Sequence, residues 1–340
     1  MIFRSKAPLR IGLAGGGTDV SPYSDIYGGA ILNVTISLSA FASIEETGDD
    51  HIVLEALDRN ESETFPLLQE LPINGKLDLL KGVYNRISKD FGIPSKGIRL
   101  STHVDAPAGS GLGTSSTLVV AILGAFTEML KLPFGDYDIA HCAYEIERLD
   151  LGLAGGKQDQ YAATFGGVNF MEFYDEDKVI VNPLRIRPQY LHELENNLVL
   201  YFTDTSRESA AIISEQVKNV KEGKEKSVEA MHQLKEQAKM MKEALLKGKL
   251  NEFGDILDFG FRQKRQMAAH ISNSRIEEIY DAAKTAGATG GKISGAGGGG
   301  FMIFYCPGNS RFPVIEALMK FGGQIRNYSF TKYGLTTWSV

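Results

Sequence analysis

The chain has 340 residues, of which 43% are hydrophobic and 23% charged, and its formal net charge is −6 at pH 7. Its length allows two domains of ordinary size, its composition matches soluble globular proteins, and its acidic balance excludes a protein that coats nucleic acid, which needs surplus Lys and Arg on one face. Any anionic ligand must be held by a local cluster of cations.

The N-terminal stretch MIFRSKAPLR carries charge but no apolar core of a leader peptide, so no processing is expected. Alternation of apolar and polar residues predicts strands over 1–13, 30–46 and 51–57. A helix follows over 76–91, then a strand, GIRLSTHVD, that enters a glycine loop. Residues 115–130 form a nearly all-apolar and therefore buried helix, whose longest aliphatic stretch, LVVAILGAF at 118–126, is too short to cross a bilayer. The next helix, 136–149, carries Ile139, Cys142, Ala143, Ile146 and Leu149 as its inward stripe. GVNFMEF and KVIVNPLRI read as a hairpin that closes the first half, and the break near Pro188 divides the chain into domains at 1–189 and 190–340. Beyond it, NLVLYFTDT restarts a strand, followed by charged helices over about 207–249 and 251–269, then helix, glycine loop, strand, helix and strand. Mixed charges at helical spacing in that stretch mark the wet face of helices packed on their own domain. Cys142 and Cys306 sit in apolar surroundings and read as buried thiols rather than a disulfide, which suits a reducing cytoplasm. The six histidines offer no ligand pair at i, i+4, so no zinc is expected.

Three glycine-rich segments carry the functional signal: LAGGGTD at 13–19, PAGSGLGTSS at 107–116 and KISGAGGGGF at 292–301. The middle one fails the dinucleotide fingerprint by one position, because from Gly109 the glycines fall at 109, 111 and 113, and Thr114 stands where the third should be. No Gly-Lys pair continues as a Walker loop. What remains is a strand that enters a flexible loop and opens onto a helix beginning Thr114, Ser115, Ser116. Free backbone N–H groups and the positive end of the helix dipole make such a mouth a cradle for polyphosphate. The competing reading is that Thr114 and Ser115 simply cap a buried helix. For the segment 136–149, helical periodicity puts Glu145 and Glu147 on opposite margins of the apolar stripe and does not choose between them.

APLRIGLAGGGTD, PAGSGLGTSS and KISGAGGGGFMIF, in this order, resemble the three motifs of the GHMP small-molecule kinases. Thr114 stands where the middle motif has a serine, and Ser116 where it has an alanine. The resemblance implies an α+β fold of two domains, the first like domain 2 of ribosomal protein S5 and the second a ferredoxin-like α/β sandwich. It implies ATP and magnesium as cofactors, with Pro107, Gly109, Ser110, Gly111, Leu112, Gly113, Thr114, Ser115 and Ser116 around the nucleotide. Asp159, in GGKQDQ, matches the catalytic aspartate beside the acceptor hydroxyl, and Arg10 the arginine that accompanies it and faces the moving phosphoryl group. Ser115 and Glu147 match the magnesium positions, family spacing favouring Glu147 over Glu145. Thr18 and Asp19 match a position that hydrogen-bonds sugar hydroxyls. Gly297 and Gly298 belong to the loop that folds over the pocket and braces the second motif.

Within the family, GGGTD, YEIERLDLGLAGGKQDQYAATFGG and TDTSRESA point to an acceptor that is itself a sugar phosphate, so a second basic cluster must hold the distal phosphate. Lys157, Arg207 and the pair Lys264 and Arg265 are the candidates. The partners implied are this sugar phosphate and ATP, for a cytoplasmic monomer or homodimer that binds neither nucleic acid nor membrane. A kinase of an unphosphorylated sugar such as L-fucose or galactose, a non-catalytic sensor of the same fold, and an ATP-using decarboxylase of the mevalonate pathway are the other readings.

Overall fold

The computed structural model describes residues 1–92, 96–204 and 209–340. The first half builds β1 (Ile2–Ala14), α1 (Tyr23–Tyr27), β2 (Gly29–Glu46), β3 (His51–Ala56), β4 (Glu61–Pro66), α2 (Asp78–Phe91), β5 (Ile98–Val104), α3 (Thr114–Leu130), α4 (Asp136–Glu145), a π-helical turn (Ile146–Asp150), α5 (Gln158–Phe165), β6 (Val168–Phe173) and β7 (Val179–Pro183). The second half adds α6 (Pro188–Asn197), β8 (Leu198–Phe202), α7 (Ser209–Lys221), α8 (Glu225–Lys247), α9 (Phe253–Lys264), α10 (Ser274–Thr285), β9 (Gly290–Ile293), β10 (Phe301–Tyr305), α11 (Arg311–Met319), β11 (Gln324–Ile325) and β12 (Thr336–Ser339).

Two sheets result. The larger has the order β12-β1-β2-β5-β3-β4, with β6 pairing β2 farther along its length and β7 pairing β6; only β3 and β5 run parallel. The smaller is antiparallel in the order β11-β8-β10-β9. Helix α3 lies on the larger sheet, buried from Thr114 to Phe126 except at Ser115, because its residues Leu118 to Ala125 are apolar or glycine all round. Ser5 of β1 donates its hydroxyl to the Ala121 carbonyl and pins the helix at mid-length. One core joins both halves: Leu9, Ile11 and Leu13 of β1 pack with Leu200 of β8, Ile303 of β10 and Met241 of α8. The mouth of α3 is thereby fixed against the second sheet.

Three expectations need correction. The charged stretch read as a helix over 207–249 is two helices, broken at Gly223, whose φ of 64° is a left-handed value that ends α7. The following helix is shorter than 251–269 and stops at Lys264. Leu149 does not belong to the inward stripe and is 64% exposed. The cause is the π turn: Leu151 donates to the carbonyl of Ile146, five residues back, at 3.0 Å, and the wider loop shifts the helical register just before Leu149. Sequence reading also passed over α1, β4, α5, α6, β9 and β12, each of which is short or polar. Cys142 and Cys306 are free thiols, and burial raises both to about 12. Among the described residues, no helix is long and apolar enough to cross a membrane.

Candidate active site

A cavity of about 290 Å³ opens between the two halves, where the loop after β1, the mouth of α3, the π turn, the start of α5 and the glycine loop between β9 and β10 meet. Its floor is the N-terminus of α3. Gly113 holds the cap position with φ 77°, and no side chain caps the helix, so the reading of Thr114 and Ser115 as mere caps is overturned. Both residues instead lie in the first turn and line the cavity with Ser116. The amide-rich end of a buried helix is left to a ligand or to water.

Bare backbone explains the glycines. Gly111 has φ 86°, and a Cβ there would lie 2.6 Å from the carbonyl oxygen of Ser294 in the third glycine segment. Ser294 donates its hydroxyl to the Gly111 carbonyl at 2.7 Å, and the Phe301 amide donates to the Ser110 carbonyl at 2.9 Å. The third segment therefore braces the second by direct backbone contact. Leu112 is buried, and its carbonyl accepts the Arg10 amide at 3.2 Å, which ties the loop to β1. Pro107, Ser110 and Leu112 shape this loop, whereas Gly109, Gly111 and Gly113 face the cavity.

Arg10 and Asp159 form the opposing wall. Arg10 Nε donates to Asp159 Oδ1 at 2.6 Å while its Nη1 donates to the Gly111 carbonyl, so one guanidinium joins the aspartate to the glycine loop. Asp159 stands in the first turn of α5. Asp19 is buried beside it and accepts the Gln158 amide at 3.0 Å. Burial pushes its carboxyl above the usual range, the Gln158 amide opposes this, and the charge of Asp159 adds to it. Gly156 is required here, since a Cβ would fall 2.0 Å from Asp19 Oδ2.

The π turn separates the two glutamates that periodicity left equivalent. Glu147 is 1% exposed, lines the cavity and accepts a hydrogen bond from the Gln160 side chain, with Arg148 Nη1 at 3.7 Å. Burial raises its carboxyl, and Arg148 pulls it back. Glu145 points the other way and pairs with Arg86 at 2.8 Å. Arg86 also grips Asp150 through two donors at 2.8 Å each, so it holds the residues on both sides of Glu147.

The basic candidates separate in the same way. Lys264 lines the cavity and donates to the Gly295 carbonyl. Lys157 is buried away from the lining, 2.7 Å from Asp177 and 3.5 Å from Asp25, under the Tyr144 ring. Arg265 turns outward onto Phe261 and pairs with Glu277 at 2.6 Å. Arg207 lies outside the described residues. Thr18 spends its hydroxyl on the carbonyls of Gly15 and Ala30, at 2.8 and 3.0 Å, holding the loop rather than facing the cavity. Gly297 lines the cavity, and Gly298 donates its amide to Ile271 at 2.8 Å. Sequence reading missed Arg148, Gln158 and Gln160, although each neighbours a candidate in the chain, and Ala210, Ile213 and Gln216 of α7, which carry no local signal.

Residues 78–167 match the model of the GHMP kinases N terminal domain, and residues 241–323 that of the GHMP kinases C terminal domain. The chain is 48% identical over 337 residues to the D-glycero-alpha-D-manno-heptose 7-phosphate kinase of Campylobacter jejuni, covering 99% of each. It is 30% identical to the L-fucokinase/L-fucose-1-P guanylyltransferase of Bacteroides fragilis, over 87% of this chain and 34% of that protein. Among solved structures, the D-glycero-D-manno-heptose 1-phosphate kinase of Bacteroides thetaiotaomicron superposes with a TM-score of 0.85 at 46% identity, covering 99% of each chain. The galactokinase of Lactococcus lactis, at 18% identity and a TM-score of 0.79 over 98% of this chain and 95% of that one, shares the fold.

Two outcomes follow from this geometry. Replacing Arg86 with Met removes a partly exposed charge network and costs about 1–2 kcal/mol in denaturant titration. In the same variant, hydrogen–deuterium exchange speeds up at residues 146–153 while that of β1 and β2 stays as it is. The second concerns Lys264, whose value is depressed to about 8, first by burial and then by Arg10. A buried lysine of this kind destabilises the fold wherever it must be charged there, fully below about pH 8, and the penalty fades as pH rises toward the ordinary value of 10.5. Lys264→Met is therefore more stable than the parent at pH 7, by roughly 1–3 kcal/mol, and the advantage shrinks between pH 8 and 10.5 in paired thermal melts.

Proposed function

The chain belongs to the GHMP kinases, and on that premise we propose that it is the ATP-dependent kinase of a heptose 7-phosphate, phosphorylating the anomeric hydroxyl to give a 1,7-bisphosphate. The observation that carries the reading is the Arg10–Asp159 pair facing the uncapped mouth of α3 across one cavity. Phosphoryl transfer needs positioning and charge neutralisation more than covalent chemistry, and these are the two things the cavity supplies.

In this reading the amides of Gly113 to Ser116 cradle the nucleotide's phosphates, and the glycine loop at 294–300 closes over them. Asp159 accepts the proton of the acceptor hydroxyl as that oxygen bonds to the terminal phosphorus and the bond from that phosphorus to the β,γ-bridging oxygen breaks, ADP leaving with the bridging oxygen. Arg10 orients the aspartate and offers its positive face to the charge that develops on the transferred group. Asp19 accepts hydrogen bonds from sugar hydroxyls.

The residues present fit a magnesium ion. Glu147 is a buried carboxylate that lines the same cavity as the exposed Ser115, and one or two protein oxygens are what magnesium takes when phosphates complete its shell. Bound there, the ion would neutralise phosphate charge; Glu147 and Ser115 would hold it, with Gln160 and Arg148 orienting the carboxylate. Residues 1–189 and 190–340 serve as the two domains, a division supported by one family match falling inside each. The enzyme works in the cytoplasm, a setting that suits its two free thiols.

The heptose acceptor is supported by the relatives at 48% and 46% identity, both named for a heptose. The fucokinase relative favours a second reading, an unphosphorylated 6-deoxy sugar. Incubation with ATP, magnesium and a panel of hexoses, heptoses and their terminal phosphates, followed by ³¹P NMR, separates them. A new anomeric phosphate on heptose 7-phosphate is the expected product, and turnover confined to L-fucose would replace the reading. Asp159→Asn is expected to lower kcat about a hundredfold to ten-thousandfold, the range general-base catalysis contributes, while ATP still binds in equilibrium dialysis.

A further inference from the structure

The mechanism above leaves two buried lysines without a task. Lys264, at the end of α9, is 3% exposed, and Lys292, which opens the third glycine segment, is 6% exposed. Each ammonium meets a backbone carbonyl: Lys264 that of Gly295, Lys292 that of Gly12 at 2.8 Å. Among the described residues neither lies within ion-pairing distance of a carboxylate, unlike Lys157, which has two. Yet both converge on one spot, since a Cβ built on Gly16 would lie 3.8 Å from each Nζ. Gly16 carries no side chain between the two ammonium groups, and Lys264 and Gly17, the neighbour of Gly16, line the cavity.

An ammonium has three donors, and a buried one that lacks an anion is an unresolved cost to the fold. Proteins keep such groups where a ligand supplies the missing charge. We propose that Lys264 and Lys292, converging on the bare backbone of Gly16, form the subsite for a second anionic group of the acceptor, remote from the hydroxyl that receives the phosphoryl group. The proposal rests on the sugar-phosphate reading above and assigns that acceptor's terminal phosphate to this place. It replaces Lys157 and Arg265, whose carboxylate partners already neutralise them. Asp19 lies between the two ends, where sugar hydroxyls would pass.

The charged groups that face the pair are Arg10 from β1, Asp19 from the loop after it, and the lysines themselves. Burial and these cationic neighbours hold both lysines below their ordinary value, Lys292 well below, and Asp19 draws Lys264 partly back. A phosphate dianion reverses that balance, so acceptor binding draws protons onto the pair.

The test compares kcat/KM for a heptose 7-phosphate with that for the same heptose lacking the phosphate, in the parent enzyme, Lys264→Met, Lys292→Met and Lys264→Arg. The ratio is expected to fall about tenfold to a hundredfold in each methionine variant, the worth of one or two charged hydrogen bonds, and to be largely retained by arginine. A preference that both methionine variants keep overturns the subsite. A parent enzyme with no preference for the phosphorylated sugar overturns the sugar-phosphate reading beneath it, whatever the lysines do. Should a methionine variant fail to fold, calorimetry on the parent enzyme at pH 8 in two buffers of different ionisation enthalpy decides. Proton uptake with the sugar phosphate and none with the free sugar sustains the proposal, and equal uptake or none with either ligand overturns it.

Discussion

The site depends on a helix that is buried along its length but uncapped at its start. Because α3 runs through the apolar core, its register and direction are fixed by packing, and nothing at its mouth needs to contribute to holding it. The first turn is thus free to present amides and hydroxyls outward. The surrounding loops are shaped by how closely they must approach that mouth. Side chains on Gly111 or Gly295 would collide with the backbone opposite, so the two glycine segments come together as bare chain.

Charge is arranged by the same logic. The protein is acidic overall, yet Arg10, Arg148 and Lys264 line a single cavity with Asp19, Glu147 and Asp159, and Lys292 stands at Gly16, next to the lining Gly17. A local surplus of cations in a negative molecule concentrates phosphate at one place and leaves the remaining surface unattractive to it. Burial sharpens this, since fewer waters compete for each charge.

Much of this was legible in the sequence, and the parts that were not share a cause. The three glycine segments and the helix after the second announced themselves, because a cluster of glycines is costly unless close approach demands it. Asp159, in GGKQDQ, and Arg10 followed from the family resemblance, and the structure sets them 2.6 Å apart. Glu147 could not be distinguished from Glu145 by periodicity, because a constant 3.6-residue period cannot register the wider turn at 146–150. Leu149 was misassigned for the same reason. Lys292 opens the third motif with no sign of its role, since burial of a charged side chain follows from tertiary packing and leaves no local trace. Lys157 looked available from its neighbours in the chain, whereas Asp177 and Asp25, which neutralise it, lie far off in sequence.

The π turn carries one more implication, for how this enzyme tolerates mutational drift. A wider turn is equivalent to one residue inserted into an ordinary helix, and each residue in a helix advances the chain by about 100 degrees. Amino-acid exchanges along this stretch alter only chemistry. Loss of a single codon there would leave a perfectly acceptable helix and swing the cavity-facing Glu147 carboxylate toward the outside. Length, more than composition, is what selection has to guard between α4 and the loop that follows.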